Sequence, residues 1–215
     1  MSEKLRNRLL ATARALNTTG LSVAMSGNTS VRTEAGFLIT PTGAAYSSLA
    51  VNDLVEVAPG GQVLSGGTPS SEWRFHDAVY QHRADANAIV HTHSTYATAL
   101  ACLRKPIPAF HYMVAAAGGH DIRCAPYALY GTQELSDHVL AGLEDRKVTL
   151  LANHGLVALG KDLDEALRLA EEVEQLARHY CAALAIGEPI LLSREQMDEA
   201  LAKYANYGTP GAPAQ

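Results

Sequence analysis

A mixed α/β fold of α+β character is what this chain of 215 residues predicts: a three-layer αβα sandwich, with helices on both faces of a mostly antiparallel central sheet. Two observations carry that expectation. Stretches with apolar residues at helical spacing alternate irregularly with short β-type pieces bounded by Gly, Pro and Asn. With 47% hydrophobic residues, the length suffices for one substantial core and requires no second domain. No repeat or linker divides the chain, so residues 1–207 read as one domain. The Gly/Pro/Ala-rich tail, 208–215, has nothing to bury and reads as disordered.

Taken in order, Leu5, Leu9, Ala13 and Leu16 form the apolar stripe of a first helix that stops near Gly20. From Ser26 to Leu64 the texture turns to strands, expected at 30–33, 36–40, 54–57 and 62–64. Ser70-Ser71-Glu72 opens a second helix, for which Ser70 or Ser71 is the expected N-cap. A strand follows at Ile89-Val90-His91, then a short Ala-rich helix at 96–103 halted by Lys105-Pro106. Residues 131–143 read as another helix, and 148–151 and 156–159 as strands flanking Asn153-His154-Gly155. The clearest helix runs from Leu163 to about Leu184, and a last one is expected near 194–203.

Charge and cysteine usage exclude several function classes. A net charge of −5 without any Lys/Arg run leaves no footprint for nucleic acid or an anionic membrane surface. The N-terminus lacks the layout of a secretory signal, and no apolar run reaches the roughly 18 residues of a spanning helix. Cys102, Cys124 and Cys181 form no C-x-x-C pair, which speaks against a disulfide framework or a thiolate metal site and fits a reducing cytoplasm.

Chemistry enters with His91-Thr92-His93. Alternate strand residues share a face, so His-x-His on a strand can deliver two imidazoles to one metal, although two buried strand histidines would look the same. His154, in a strand–Gly turn, is a third candidate nitrogen ligand, and Glu72 a carboxylate to complete a catalytic zinc site. A second signal is a set of small-residue turns around Asn28, around Thr42-Gly43 and at Ser70-Ser71. Their N–H groups, with a helix N-terminus beside them, can converge on an oxyanion. Each turn alone is an ordinary tight turn or cap; the three together with a metal set point to a phosphorylated substrate. His76, four residues after Glu72, is either a partner behind the metal ligands or a helix-face residue, the second being the favoured reading, and His82, His120, His138 and His179 read as surface or packing residues. Tyr112, Tyr130, Tyr204 and Tyr207 are candidate proton donors.

Gly27-Asn28, Leu38-Ile39-Thr40-Pro41-Thr42-Gly43, Ser70-Ser71-Glu72-Trp73-Arg74-Phe75-His76 and the His91/His93 pair occur in that order. They are followed by His111-Tyr112-Met113, Ala115-Ala116-Ala117-Gly118-Gly119, Cys124-Ala125-Pro126-Tyr127, Asn153-His154-Gly155-Leu156 and Tyr207-Gly208. Through these motifs nearly the whole chain resembles the class II aldolase/adducin-type family and its fold. The resemblance implies a homotetramer with active sites at subunit interfaces and one Zn²⁺ per subunit, held by His91, His93, His154 and Glu72. It implies reversible cleavage of a ketose 1-phosphate, L-fuculose 1-phosphate or a related deoxyketose 1-phosphate, to dihydroxyacetone phosphate and a lactaldehyde- or acetaldehyde-type product. Glu72 would also be the general base, Asn28, Thr42, Gly43, Ser70 and Ser71 the phosphate grip, Tyr112 of a neighbouring subunit the acid, and Tyr207 an aid in orienting the aldehyde. Tyr130 and Tyr204 match aromatic positions near the aldehyde pocket. A 5-deoxypentulose or methylthioribulose 1-phosphate is the alternative substrate. Epimerase, dehydratase or decarboxylase chemistry on the same scaffold, and a non-catalytic module like the adducin head, are the other readings. Departures at 94–98 and after Gly208 fall where aldehyde choice would be made.

Overall fold

The computed structural model describes residues 2–204. Among these residues, eight strands form one sheet: β1 (Asn28–Thr33), β2 (Gly36–Ile39), β3 (Val55–Val57), β4 (Val63–Ser65), β5 (Ala88–Thr92), β6 (Arg123–Ala125), β7 (Val148–Leu151) and β8 (Gly155–Gly160). Their order across the sheet is β4-β3-β2-β1-β5-β8-β7-β6. Every pairing is antiparallel except β6 with β7, in agreement with the expected mostly antiparallel sheet. The helices are α1 (Glu3–Thr18), α2 (Trp73–His82), α3 (Thr95–Cys102), α4 (Gln133–Gly142), α5 (Leu163–Ile186) and α6 (Arg194–Tyr204).

The alternation of side chains along each strand sorts the core into two halves. Ala88 and Val90 of β5 pack with Val148, Leu150, Leu156 and Ala158 against α1, α3 and α5. Ile89, one residue out of step, packs with Val157 and Leu159 against Phe75 and Val79 of α2 and Val139 of α4. With helices on both faces, all five residues of β5 are buried, as expected for a central strand. His91 therefore lies on the α2/α4 side, one step beyond Ile89, and the alternation that builds the core also aims its ring.

Local chemistry fixes the helix ends nearest the site. Asp162 caps α5 by accepting from the Glu165 amide at 2.9 Å, a contact of about 1 kcal/mol. From the middle of α5, Glu174 reaches across to accept from the Tyr96 and Ala97 amides, at 2.9 Å each. This carboxylate ties down the start of α3, only a few residues past His93.

Several expectations need correction. The N-cap of α2 is Glu72 by position, not Ser70 or Ser71, and no side chain caps it. Ser70 instead accepts from the Glu72 amide at 3.3 Å, which leaves the Glu72 carboxylate free to turn inward. Strand β6 and the 3-10 turns at Val51–Asp53 and Tyr112–Ala117 were not anticipated. Tyr207 and the tail lie outside the described residues.

Candidate metal centre

His91 sits on β5, paired with Asn28 of β1 on one side and Val157 of β8 on the other. Its Nδ1 is 2.8 Å from the Leu156 carbonyl oxygen. A carbonyl only accepts, so Nδ1 carries a proton and Nε2 is the nitrogen turned to His93 and Glu72, the orientation a metal-binding imidazole needs. His93 lies just past the end of β5. His154 arrives from the β7–β8 turn, where Asn153 adopts a left-handed φ of 55°. A methyl group at Gly155 would collide with the Thr92 carbonyl and crowd the His93 ring, so a side chain there would push the turn off β5.

The three rings form a near-equilateral triangle with centroids 4.8–4.9 Å apart. Their ligand nitrogens all lie within 4.8 Å of one another, and His91 Nε2 is 3.0 Å from His93 Nε2. Glu72 closes the fourth side, with Oε2 3.1 Å from His91 Nε2 and Oε1 3.2 Å from His154 Nε2. Oε1 is buried and accepts no hydrogen bond. A buried carboxylate oxygen without a donor, beside three converging imidazoles, is a donor set that fits a small divalent cation such as zinc.

Electrostatics in the cluster follow from burial and from that carboxylate. Burial works to raise the Glu72 carboxyl, but the charge and hydrogen bond of His91, then His154 and the Asn28 amide, hold it well below the usual carboxylate range. Burial works to lower His91, and Glu72 overrides it and raises the ring. His93 is pushed down to about 3 by burial and by its histidine neighbours. His154 falls to about 4 for the same reasons. The site thus carries a negative carboxylate and, at His93 and His154, neutral imidazoles ready for a metal, while at His91 the carboxylate favours a proton that a bound cation would have to displace.

Next to the cluster opens a cavity of about 330 Å³. Its lining brings Asn28, Thr42, Gly43, Ser70 and Ser71 together with Glu72, His93 and His154. The turns carrying Thr42 and Ser70 are zipped together: the Thr42 amide donates to Thr68 O, and the Ser70 amide to Thr40 O. The amides of Gly43 and Ser71 donate to no group among the described residues, and both border the cavity. Gly27, with φ of 76°, lets the neighbouring loop lie against the His91 carbonyl, and the Tyr46 hydroxyl holds that loop by donating to Gly27 O at 2.6 Å.

Not every expected residue is in this cavity. Tyr130 lines it, joined by Tyr127, which the sequence did not single out as a functional side chain. Tyr112 is 57% exposed and outside it, and Tyr204 packs on the larger core cluster. The reading of His76 as a helix-face residue is overturned. It is fully buried and bonded to Asn28 Oδ1 at 2.6 Å and Ser30 Oγ at 2.7 Å. Its spacing of four from Glu72 was the sequence signal for it; its partners on β1 lie more than 40 residues away.

Comparison with known proteins bears on this geometry. Residues 7–181 match the Class II Aldolase and Adducin N-terminal domain. The chain is 48% identical to the 5-methylthioribulose-1-phosphate/5-deoxyribulose-1-phosphate aldolase of Rhodospirillum rubrum, with 98% of this chain and 97% of the relative covered. It is also 48% identical to the L-fuculose phosphate aldolase of Escherichia coli K12, covering 95% of this chain and 96% of the other. A solved L-fuculose 1-phosphate aldolase superposes with a TM-score of 0.92 at 41% identity, over 95% of this chain and 98% of that one.

Proposed function

The chain belongs to the class II aldolase and adducin family and is a class II aldolase, a lyase, and from that premise we propose that it cleaves a ketose 1-phosphate reversibly into dihydroxyacetone phosphate and a small aldehyde. The observation that carries this reading is one shared cavity, lined by His93, His154 and Glu72 of the ligand cluster and by Gly43 and Ser71 with their free amides, with His91 completing the cluster from behind. Amides at a helix N-terminus suit a phosphate. His91, His93, His154 and Glu72 would hold one Zn²⁺, which when bound supplies Lewis acidity toward a substrate carbonyl.

Glu72 is suited to be the base. Moved away from the two histidine nitrogens, it would keep the Asn28 amide as a partner, and burial would then raise its proton affinity. Thr42, Gly43, Ser70 and Ser71 would grip the phosphate, with Asn28 beside them. Tyr112 is exposed and outside its own cavity, in keeping with an acid donated to a neighbouring subunit's site in a homotetramer. Tyr207, outside the described residues, is proposed to orient the aldehyde. No described helix is long and apolar enough to cross a membrane, and a cytoplasmic location is part of the proposal.

L-fuculose 1-phosphate and a 5-deoxypentulose 1-phosphate, or its methylthio analogue, are both retained as substrates, because relatives of both kinds are equally similar. A panel of these sugars, scored for released dihydroxyacetone phosphate with and without chelator, tests the proposal. Release that a chelator abolishes and zinc restores is expected; release that persists in fully chelated protein would overturn the metal assignment.

A further inference from the structure

Beneath Glu72 and Asn28 lies a polar chain whose inner members, His76, Ser30 and Tyr80, the chemistry above does not use. Asn28 Nδ2 donates to Glu72 Oε2 at 2.8 Å. A carboxylate only accepts, so this end of the amide must be the nitrogen, and Oδ1 must face His76 Nε2, 2.6 Å away. That oxygen only accepts as well, so the His76 proton sits on Nε2. Nδ1 is then bare and accepts from Ser30 Oγ at 2.7 Å. With its one hydrogen directed at the ring, Ser30 in turn accepts from the Tyr80 hydroxyl at 2.8 Å. The hydrogen bonds therefore all run one way, from Tyr80 through Ser30, His76 and Asn28 to the carboxylate.

Packing leaves the chain no slack. Ser30 and His76 are fully buried, and Asn28 and Tyr80 nearly so. Phe75 stacks on the His76 ring, with centroids 4.4 Å apart, and meets His91 edge-on. Burial, with the charge of His91, pushes His76 down to about 3, so the ring is neutral at physiological pH and its single proton is the one Asn28 accepts.

Resting on the aldolase reading, we propose that His76 is a positioning residue of the reaction: through Asn28 it holds Glu72 Oε2 in place and leaves Oε1 turned toward His154 and the cation. Without His76, the Asn28 amide is free to turn over and present oxygen to the carboxylate. Glu72 then loses the one donor that fixes its rotamer from below.

The test uses the full chain, metal-free and Zn²⁺-loaded, as wild type, His76→Leu and His76→Gln. In His76→Leu, Zn²⁺ affinity measured by chelator competition and kcat on the preferred ketose 1-phosphate should each fall about 10–100-fold, with KM nearly unchanged. A glutamine amide can place an N–H near the lost Nε2–H, so His76→Gln should recover most of both. In addition, ¹⁵N NMR of the metal-free wild type should show His76 as the Nε2–H tautomer. A folded His76→Leu with wild-type zinc affinity and kcat overturns the proposal. So does a His76→Gln no better than leucine, or an Nδ1–H tautomer. If His76→Leu does not fold, Tyr80→Phe and the wild-type tautomer decide. Tyr80→Phe leaves Ser30 free to rotate, and should weaken zinc binding measurably. Should no ketose 1-phosphate be cleaved by the wild type, the substrate reading fails, while zinc affinity and tautomer still decide how Glu72 is held.

Discussion

The floor and the rim of the cavity are built on different principles. On the floor and directly behind it, Asn28, Glu72, His76 and His91 are buried, and each is gripped by at least two polar partners. On the rim, Met25, Tyr127 and Tyr130 are more than half exposed, and no side-chain hydrogen bond holds them among the described residues. A buried polar group without a partner costs about 1–3 kcal/mol, so each floor residue constrains the next. Rim residues meet no such constraint. Under the proposed function, the metal chemistry belongs where the side chains are over-determined, and aldehyde choice is assigned to the rim, where they are not.

The largest way to break the comparison is to change the floor at Glu72. Glu72→Gln keeps the shape and removes the charge that raises His91 and would accept the substrate proton. Loss of a positioned general base typically costs about 10²–10⁴-fold, so kcat should fall by about 10³ while the far-UV spectrum is retained. Steady-state kinetics at saturating zinc check this. A variant keeping more than a tenth of wild-type activity removes Glu72 from proton transfer.

Acid is the second lever, and its largest effects fall on the buried histidines of the cluster and on His76. His76, His93 and His154 have folded pKa values lowered to about 3, 3 and 4. Unfolded, each takes up a proton near about 6.5. Between those limits the unfolded chain binds more protons, so stability falls as pH falls through this window. Glu72 is lowered too: its contribution is present above the ordinary carboxylate range and is lost on further acidification. His91, raised, runs the other way, its contribution fading as pH rises through its folded pKa. For His76 alone, moving from pH 7 to pH 5 should cost about 2 kcal/mol. Urea unfolding of the metal-free protein at the two pH values measures this, and a midpoint that does not drop at pH 5 contradicts a neutral, buried floor.

Much of both regions was legible in the sequence, and the gaps have physical causes. All six described helices and seven of the eight strands were legible, most of them because they bury an apolar stripe and exposed β4 because turn residues bound it. Strand β6 escaped because Arg123-Cys124-Ala125 has no pattern of its own and is defined only by its parallel pairing with β7. The histidine cluster was visible as a spacing. His76 was misread because its partners, Asn28 and Ser30, lie more than 40 residues away on β1, a register no local pattern reveals. The Ser70/Ser71 cap failed for a related reason: the serine expected to cap α2 supports the Glu72 amide instead.

The smallest effect tests the rim. Tyr130 lines the cavity with its side chain 62% exposed on average over the residue, so its hydroxyl can meet a polar aldehyde tail without any rearrangement of the floor. One neutral hydrogen bond contributes about 0.5–1.5 kcal/mol, which is about 2–10-fold in kcat/KM. Tyr130→Phe should therefore lower kcat/KM for a hydroxylated aldehyde of the lactaldehyde type by that factor and leave acetaldehyde almost untouched. Condensation with dihydroxyacetone phosphate, run with the two aldehydes in parallel, gives the ratio directly. If both aldehydes and the zinc content decline together, the rim is coupled to the floor, and the division between fixed chemistry and adjustable specificity fails at the residue where it should hold best.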